Sequence, residues 1–280
     1  MRILDHKTVL QNLPKRKNNT HKGDYGRILL LCGSRGYTGA AALAAMGALR
    51  VGAGLVFLGV PESIYEIEAV KLNEPVVFPL PDHDGKLAAC SVERIGERLP
   101  KMDAVLVGPG LGNSPDVVSV VEYVIDHAQC PLILDADGIN AVAAHKDILR
   151  GRTGITIVTP HEGEFQRLTG KSIRDRENDA VVLARELGLI VVLKGHETLI
   201  TDGTDLFMNP TGNPGMAVGG SGDILAGMIV GLLGQGIDPL MCAACGAWLH
   251  GAAGDLCAEQ MGQYAMLPSD MLSVLPRLLK

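Results

Sequence analysis

Short, unbroken apolar runs recur along this chain, and a cluster of glycine or polar residues closes each one. The runs at 27–32, 55–60, 104–107, 131–134, 155–158 and 190–193 read as strands buried on both faces. Helical patterns fill 40–51, 116–126 and about 175–187. This alternation predicts a mostly parallel sheet with helices on its two sides. Asp202-Gly203, flanked by Thr198-Leu199-Ile200 and Leu206-Phe207-Met208, predicts a hairpin. Beyond it the pattern turns helical at about 222–234, 239–259 and 270–278. Residues 1–26 are polar and carry Pro14, so they read as irregular.

Composition narrows this picture. Of the 280 residues 47% are apolar but only 4% aromatic, so the core must be aliphatic. No linker or break in composition divides the chain, which predicts one domain over 1–280 with a polar extension at 1–20. The net charge of −6 and the lack of a basic block argue against a nucleic-acid partner. The first residues lack an apolar signal core, and no apolar run reaches 18 residues. No membrane partner and a cytoplasmic location are therefore expected. Cys242 and Cys245 form a C-x-x-C inside an Ala/Gly-rich helical run, with no second such pair. They read as small core-packing thiols rather than a zinc or redox site.

The strand-closing clusters carry the chemistry, because ligands bind open parallel sheets beyond the carboxyl ends of their strands. Five loops would line one crevice: 33–40, 108–112, 159–164, 193–198 and 215–223. The first lacks the G-x-G-x-x-G spacing of a dinucleotide fingerprint. Gly108, Gly110 and Gly112 would let a ligand approach the main chain. His161 follows Pro160 at a strand end but has no metal-ligand spacing. Lys194-Gly195 at another strand end suits a phosphate clamp.

The fifth loop is the most informative. Gly219-Gly220-Ser221-Gly222-Asp223 runs straight into the apolar Ile224-Leu225-Ala226. Free N–H groups at a helix start favour an anion. A carboxylate among them is not there to bind that anion. It suits a proton acceptor beside a transferring phosphoryl.

Further motifs appear in a fixed order: His21-Lys22-Gly23-Asp24-Tyr25-Gly26-Arg27, Gly39-Ala40-Ala41-Ala42, Gly52-Ala53-Gly54, Gly108-Pro109-Gly110-Leu111-Gly112 and Asp135-Ala136-Asp137. Thr159-Pro160-His161-Glu162-Gly163-Glu164, Lys194-Gly195 and Gly219-Gly220-Ser221-Gly222-Asp223 complete the set. From about residue 20 onward the chain resembles the ADP-dependent NAD(P)H-hydrate dehydratase family.

That resemblance implies a ribokinase-like, three-layer α/β/α fold. It implies repair of hydrated NADH and NADPH, with ADP (or ATP) consumed and Mg²⁺ required. It also implies a homotetramer and a separate epimerase acting on the same metabolite. Asp223 would be the catalytic base. Lys194, Gly195, His196, Glu197, Thr198 and Gly222 would contact the nucleotide. Ala40, Gly110, His161 and Asp223 would contact the hydrated dinucleotide, and Gly220, Ser221 and Gly222 would form the anion hole. Metal ligands are not identified. Val218 departs from the pattern, since relatives often carry a hydroxyl residue there.

Two other readings stay open: a ribokinase-like kinase for a vitamin precursor or sugar, and a non-catalytic nucleotide sensor.

Overall fold

The structure is a computed structural model that describes residues 1–280. The chain opens with β1 (Arg2–Ile3) and α1 (His6–Asn12), then β2 (Arg27–Leu31), α2 (Thr38–Arg50), β3 (Leu55–Pro61), α3 (Glu62–Lys71) and β4 (Val76–Leu80). A small hairpin of β5 (Asp82–His83) and β6 (Lys86–Leu87) leads to α4 (Val92–Gly96). Then come β7 (Ala104–Val107), α5 (Pro115–His127), β8 (Leu132–Leu134), α6 (Asp137–Val142), β9 (Thr156–Val158), α7 (Glu162–Thr169), α8 (Arg176–Leu187) and β10 (Ile190–Leu193). The last part holds β11 (Leu199–Thr201), β12 (Leu206–Met208), α9 (Ser221–Leu233), α10 (Pro239–Met261) and α11 (Pro268–Val274).

Ten strands form one sheet in the order β1-β12-β11-β10-β9-β8-β7-β2-β3-β4. Only β11 runs antiparallel to its neighbours. Successive strand residues enter opposite layers: Ile28 and Leu30 pack with α2, α9 and α10, while Leu29 and Leu31 pack with α5 and α6. The period-two geometry of a strand requires both layers to be apolar, hence the unbroken runs in the sequence. From β2 the chain winds outward through β3 and β4, then returns to β7 and winds the other way. The β2/β7 boundary is thus the topological switch point.

The small residues of α2 and α9 have a packing purpose. A Cβ on Gly227 would lie 2.1 Å from the Ala44 carbonyl oxygen, and one on Gly231 would lie 2.6 Å from that of Ala48. The two helices therefore touch backbone to backbone. This draws the start of α9 down onto the strand ends.

The N-terminal stretch departs from the expected irregular extension. Arg2 and Ile3 pair in parallel with Phe207 and Met208, and α1 follows with Asp5 as its N-cap. Leu4 and Val9 are fully buried in the core. Two or three apolar residues among charges leave no periodic signal, so only tertiary contact reveals them. The sequence pattern also missed α3 and β4. Strand β4 contains Pro79, which an edge strand accommodates because no ladder bond is needed on its outer side. Within the expected helix 270–278, α11 gives way to a 3₁₀ turn at Leu275–Arg277, where Pro276 interrupts the ladder. Cys242 and Cys245 lie in the core, where burial pushes both thiols well up.

Candidate functional site

At the switch point two glycine loops are stapled together. The Gly33 amide donates to the Pro109 carbonyl (2.8 Å) and the Ser34 hydroxyl to that of Gly110 (2.7 Å). Gly110 has φ +66°, and a Cβ there would lie 2.8 Å from the Ala40 Cβ. Ala40 and Gly110, far apart in sequence, thus form one small-residue wall.

A charged centre follows along the strand ends. Asp135, just after β8, is 1% exposed. It accepts from the Thr159 hydroxyl (2.6 Å) and from the Lys194 ammonium (2.8 Å). The same ammonium lies 3.5 Å from Glu164. Burial alone would depress the Lys194 pKa, but the Asp135 and Glu164 carboxylates outweigh it and hold the ammonium above its ordinary value. Asp137 accepts from the Gly112 amide (2.8 Å) and from Asn140.

Asp223, in the first turn of α9, faces this centre. Its carboxylate makes no hydrogen bond and no ion pair within the protein. Burial first, then the Asp135 charge, raises its pKa to about 6; Lys194 offsets part of that rise, and Asp137 and Glu164 add to it. Its exposure is intermediate, so the carboxyl is accessible.

Next to Asp223 opens a cavity of about 730 Å³. Its walls are the 194–198 turn, the 209–214 segment, the 216–222 loop and the face of α10 that carries Ala247, His250 and Gly251. Gly220, the N-cap of α9, is left-handed at φ +99°. The Gly222 main chain comes close to the Lys194 ammonium, since a Cβ on that glycine would lie 3.5 Å from it. The Ser221 amide donates to the Val218 carbonyl at 3.3 Å, whereas the Gly220 and Gly222 amides have no protein acceptor. Two of the three expected anion-hole amides are therefore free.

The remaining expected residues fall around the same opening. His161 caps α7: its Nδ1 accepts from the Gly163 (3.0 Å) and Glu164 (3.4 Å) amides, and Glu164 accepts from the His161 amide (2.9 Å). That fixes the proton on Nε2, which lies 3.3 Å from Glu164. The half-exposed ring borders the cavity. Gly195 has φ +149°, with the Arg176 guanidinium stacked where a side chain would otherwise sit. Thr198 donates to the Gly195 carbonyl (3.0 Å), which tightens the turn that His196 and Glu197 occupy. A shallower depression of about 650 Å³ lies across this turn, beside Glu162 and Arg176.

Asp223, Lys194, Gly222 and His161 are thus brought to one centre, with the 195–198 turn on its cavity side. Ala40 and Gly110 stand together at the switch point, along the same row of strand ends. Sequence reasoning missed His250, whose Nε2 lies 2.9 Å from the Ser221 carbonyl oxygen. It also missed Asn209 and Thr211, which tie the cavity wall to α10 through the Ala247 and Trp248 carbonyls. A lone His in an Ala-rich helix gives no local signal. Asp135 and Glu164 stood inside motifs, but their ion pairs with Lys194 are visible only in three dimensions.

No group of three or more His, Cys, Asp or Glu side chains is arranged to hold a metal ion. No helix is long and apolar enough to cross a membrane.

Residues 28–277 match the sequence model of a family described as NAD(P)H-hydrate dehydratase. The bifunctional NAD(P)H-hydrate repair enzyme Nnr of Moorella thermoacetica is 44% identical over 100% of this chain and 54% of its own length. The ADP-dependent (S)-NAD(P)H-hydrate dehydratase of Bacillus subtilis is 36% identical over 97% of this chain and 95% of its own. The chain therefore spans about half the length of the bifunctional relatives and nearly all of the Bacillus one. A crystal structure of the ADP/ATP-dependent NAD(P)H-hydrate dehydratase from Bacillus subtilis, grown with ATP/Mg²⁺, superposes with a TM-score of 0.85. It is 33% identical, over 99% of this chain and 97% of that one. The expected ribokinase-like, three-layer architecture is borne out.

Proposed function

The chain belongs to the NAD(P)H-hydrate dehydratase family, and from that premise we propose that it returns hydrated NADH and NADPH to the reduced cofactors while converting ADP to AMP and phosphate. The observation that carries this reading is Asp223: an accessible, unpaired carboxylate with its pKa raised to about 6, next to free main-chain amides and a nucleotide-sized cavity.

Hydroxide is a poor leaving group from C6 of the hydrated ring, and phosphate is a better one. Asp223 takes the proton of the C6 hydroxyl. The oxygen attacks the β-phosphorus of ADP, forming the new P–O bond while the bond to AMP breaks. The Gly220 and Gly222 amides, with the Lys194 ammonium beside them, stabilise the charge on the moving phosphoryl. The ring-nitrogen lone pair then expels phosphate, and loss of the C5 proton restores the dihydronicotinamide. A raised pKa suits the base, because a stronger conjugate base remains ionised at neutral pH.

The cavity beside Gly222 would hold the nucleotide, with the 194–198 turn against its phosphates. The Ala40–Gly110 wall would receive the hydrated dinucleotide, and His161 would stand between the two. The residues present do not form an all-protein Mg²⁺ cage. A Mg²⁺ ion would ride on the nucleotide phosphates with water, supplying charge neutralisation. ATP in place of ADP, a homotetramer, a cytoplasmic setting and an epimerase activity on the same metabolite belong to the same reading.

The test is absorbance in the reduced-nicotinamide band. Protein, Mg²⁺ and hydrated NADH are mixed, and ADP or ATP is added in separate cuvettes. Recovery of NADH with release of free phosphate is expected. A stable phosphorylated product would favour the kinase reading, and tight nucleotide binding without turnover would favour the sensor.

A further inference from the structure

His250 projects from α10 into the wall of the nucleotide cavity and is 8% exposed. Its Nε2 makes two contacts, both with Ser221: the carbonyl oxygen at 2.9 Å and the hydroxyl oxygen at 3.2 Å. At first sight this is a serine–histidine pair poised for nucleophilic attack. The carbonyl rules that out. A carbonyl oxygen can only accept, so Nε2 must carry the proton and cannot serve as a base for the hydroxyl. Burial keeps the ring neutral, pushing its pKa down to about 4.

The same N–H leaves the hydroxyl oxygen as the acceptor of the pair. The hydroxyl proton then needs another acceptor, and no protein atom supplies one. Ser221 lines the cavity at the start of α9, and its own amide is already bonded to Val218.

We propose that His250 is a positioning residue that locks the first turn of α9 and turns the Ser221 hydroxyl into a third donor of the anion hole, aimed at a nucleotide phosphate. Ser221 thus contributes its side chain where its amide is otherwise engaged. His250 touches no phosphate itself and acts through Ser221. The inference rests on the reading that this cavity takes a nucleotide phosphate.

The experiment is a double-mutant cycle read by ADP titration calorimetry, with kcat for NADH recovery measured in parallel. The variants are Ser221→Ala, His250→Leu, the double variant and His250→Gln, whose amide nitrogen can reach the position of Nε2. Thermal melts confirm that each is folded. Ser221→Ala and His250→Leu are each expected to weaken ADP binding about 10-fold and to lower kcat about 10²-fold. The double variant is expected to fall within about 3-fold of Ser221→Ala, because the histidine acts through the serine. His250→Gln should recover most of the loss.

Additive losses in the double variant, or a folded His250→Leu protein with unchanged ADP affinity and kcat, would overturn the proposal. The dehydratase reading fails separately: wild-type protein that binds ADP but recovers no NADH refutes that reading alone, since the cycle is still read by binding. Wild-type protein that does not bind ADP refutes both.

Discussion

Lys194 donates to Asp135 across 2.8 Å, and this pairing leaves Asp223 without a cation of its own. One ammonium serves a centre that also holds Asp137 and Glu164, so the unpaired carboxylate carries the electrostatic cost. The raised pKa of Asp223 is a property of this arrangement rather than of the loop that carries it.

Replacing Asp223 with Asn should separate binding from chemistry. NADH recovery should drop roughly 10²–10⁴-fold, the range for a positioned base, while ADP affinity stays within a few fold. Near-normal turnover in that variant would remove Asp223 from its role.

The same substitution should stabilise the fold. Because the folded-state pKa lies above the unfolded one, ionised Asp223 costs stability above about pH 6. That cost fades as pH falls through 6 and is absent below about 4. Asp223→Asn should therefore be more stable on the order of 2 kcal/mol at pH 7.5, with the gap closing in acid. Denaturant melts at several pH values read this directly, and a gap independent of pH would contradict it.

Activity should fall on the acid side with an apparent pKa near 6, as Asp223 takes up a proton. Lys194 lowers that pKa while Asp135, Asp137 and Glu164 raise it. Lys194→Met should thus move the acid limb to higher pH, and Asp135→Asn should move it lower. A limb that stays in place in both variants would mean another group titrates. Lys194→Met also strands the buried Asp135 charge, which should destabilise the protein by roughly 3–5 kcal/mol in melts.

The contact between α2 and α9 should not tolerate a larger residue. Gly227→Val places a side chain where the Ala44 carbonyl already sits 2.1 Å from an ideal Cβ. Overpacking of this kind costs about 1–3 kcal/mol or more. It should also lower kcat, because α9 carries Asp223 in its first turn and begins at the glycine-rich 219–222 stretch. Thermal melts and turnover should decline together.

Leu4 tests the N-terminal segment. It is 2% exposed, so Leu4→Ala should cost roughly 2–5 kcal/mol in urea melts. An unchanged midpoint would show that the segment is a loose extension after all.

What the sequence determined by itself was the part written in local pattern. Unbroken aliphatic runs such as Ile28–Leu31 specify strands buried on both sides, and their alternation with helices specifies a layered parallel sheet. The glycine-rich stretch 219–222 and the aspartate after it likewise specify a left-handed turn that opens a helix with a carboxylate in its first turn, the arrangement on which the proposed anion site rests. Tertiary structure alone decided the rest. Leu4 and Val9 join the core only because β12 and α10 are there to receive them. His250 meets Ser221 across 29 residues, and Lys194 finds Asp135 across 59. Charge, burial and proton position are set by neighbours in space, and no period or motif along the chain encodes which neighbours those will be.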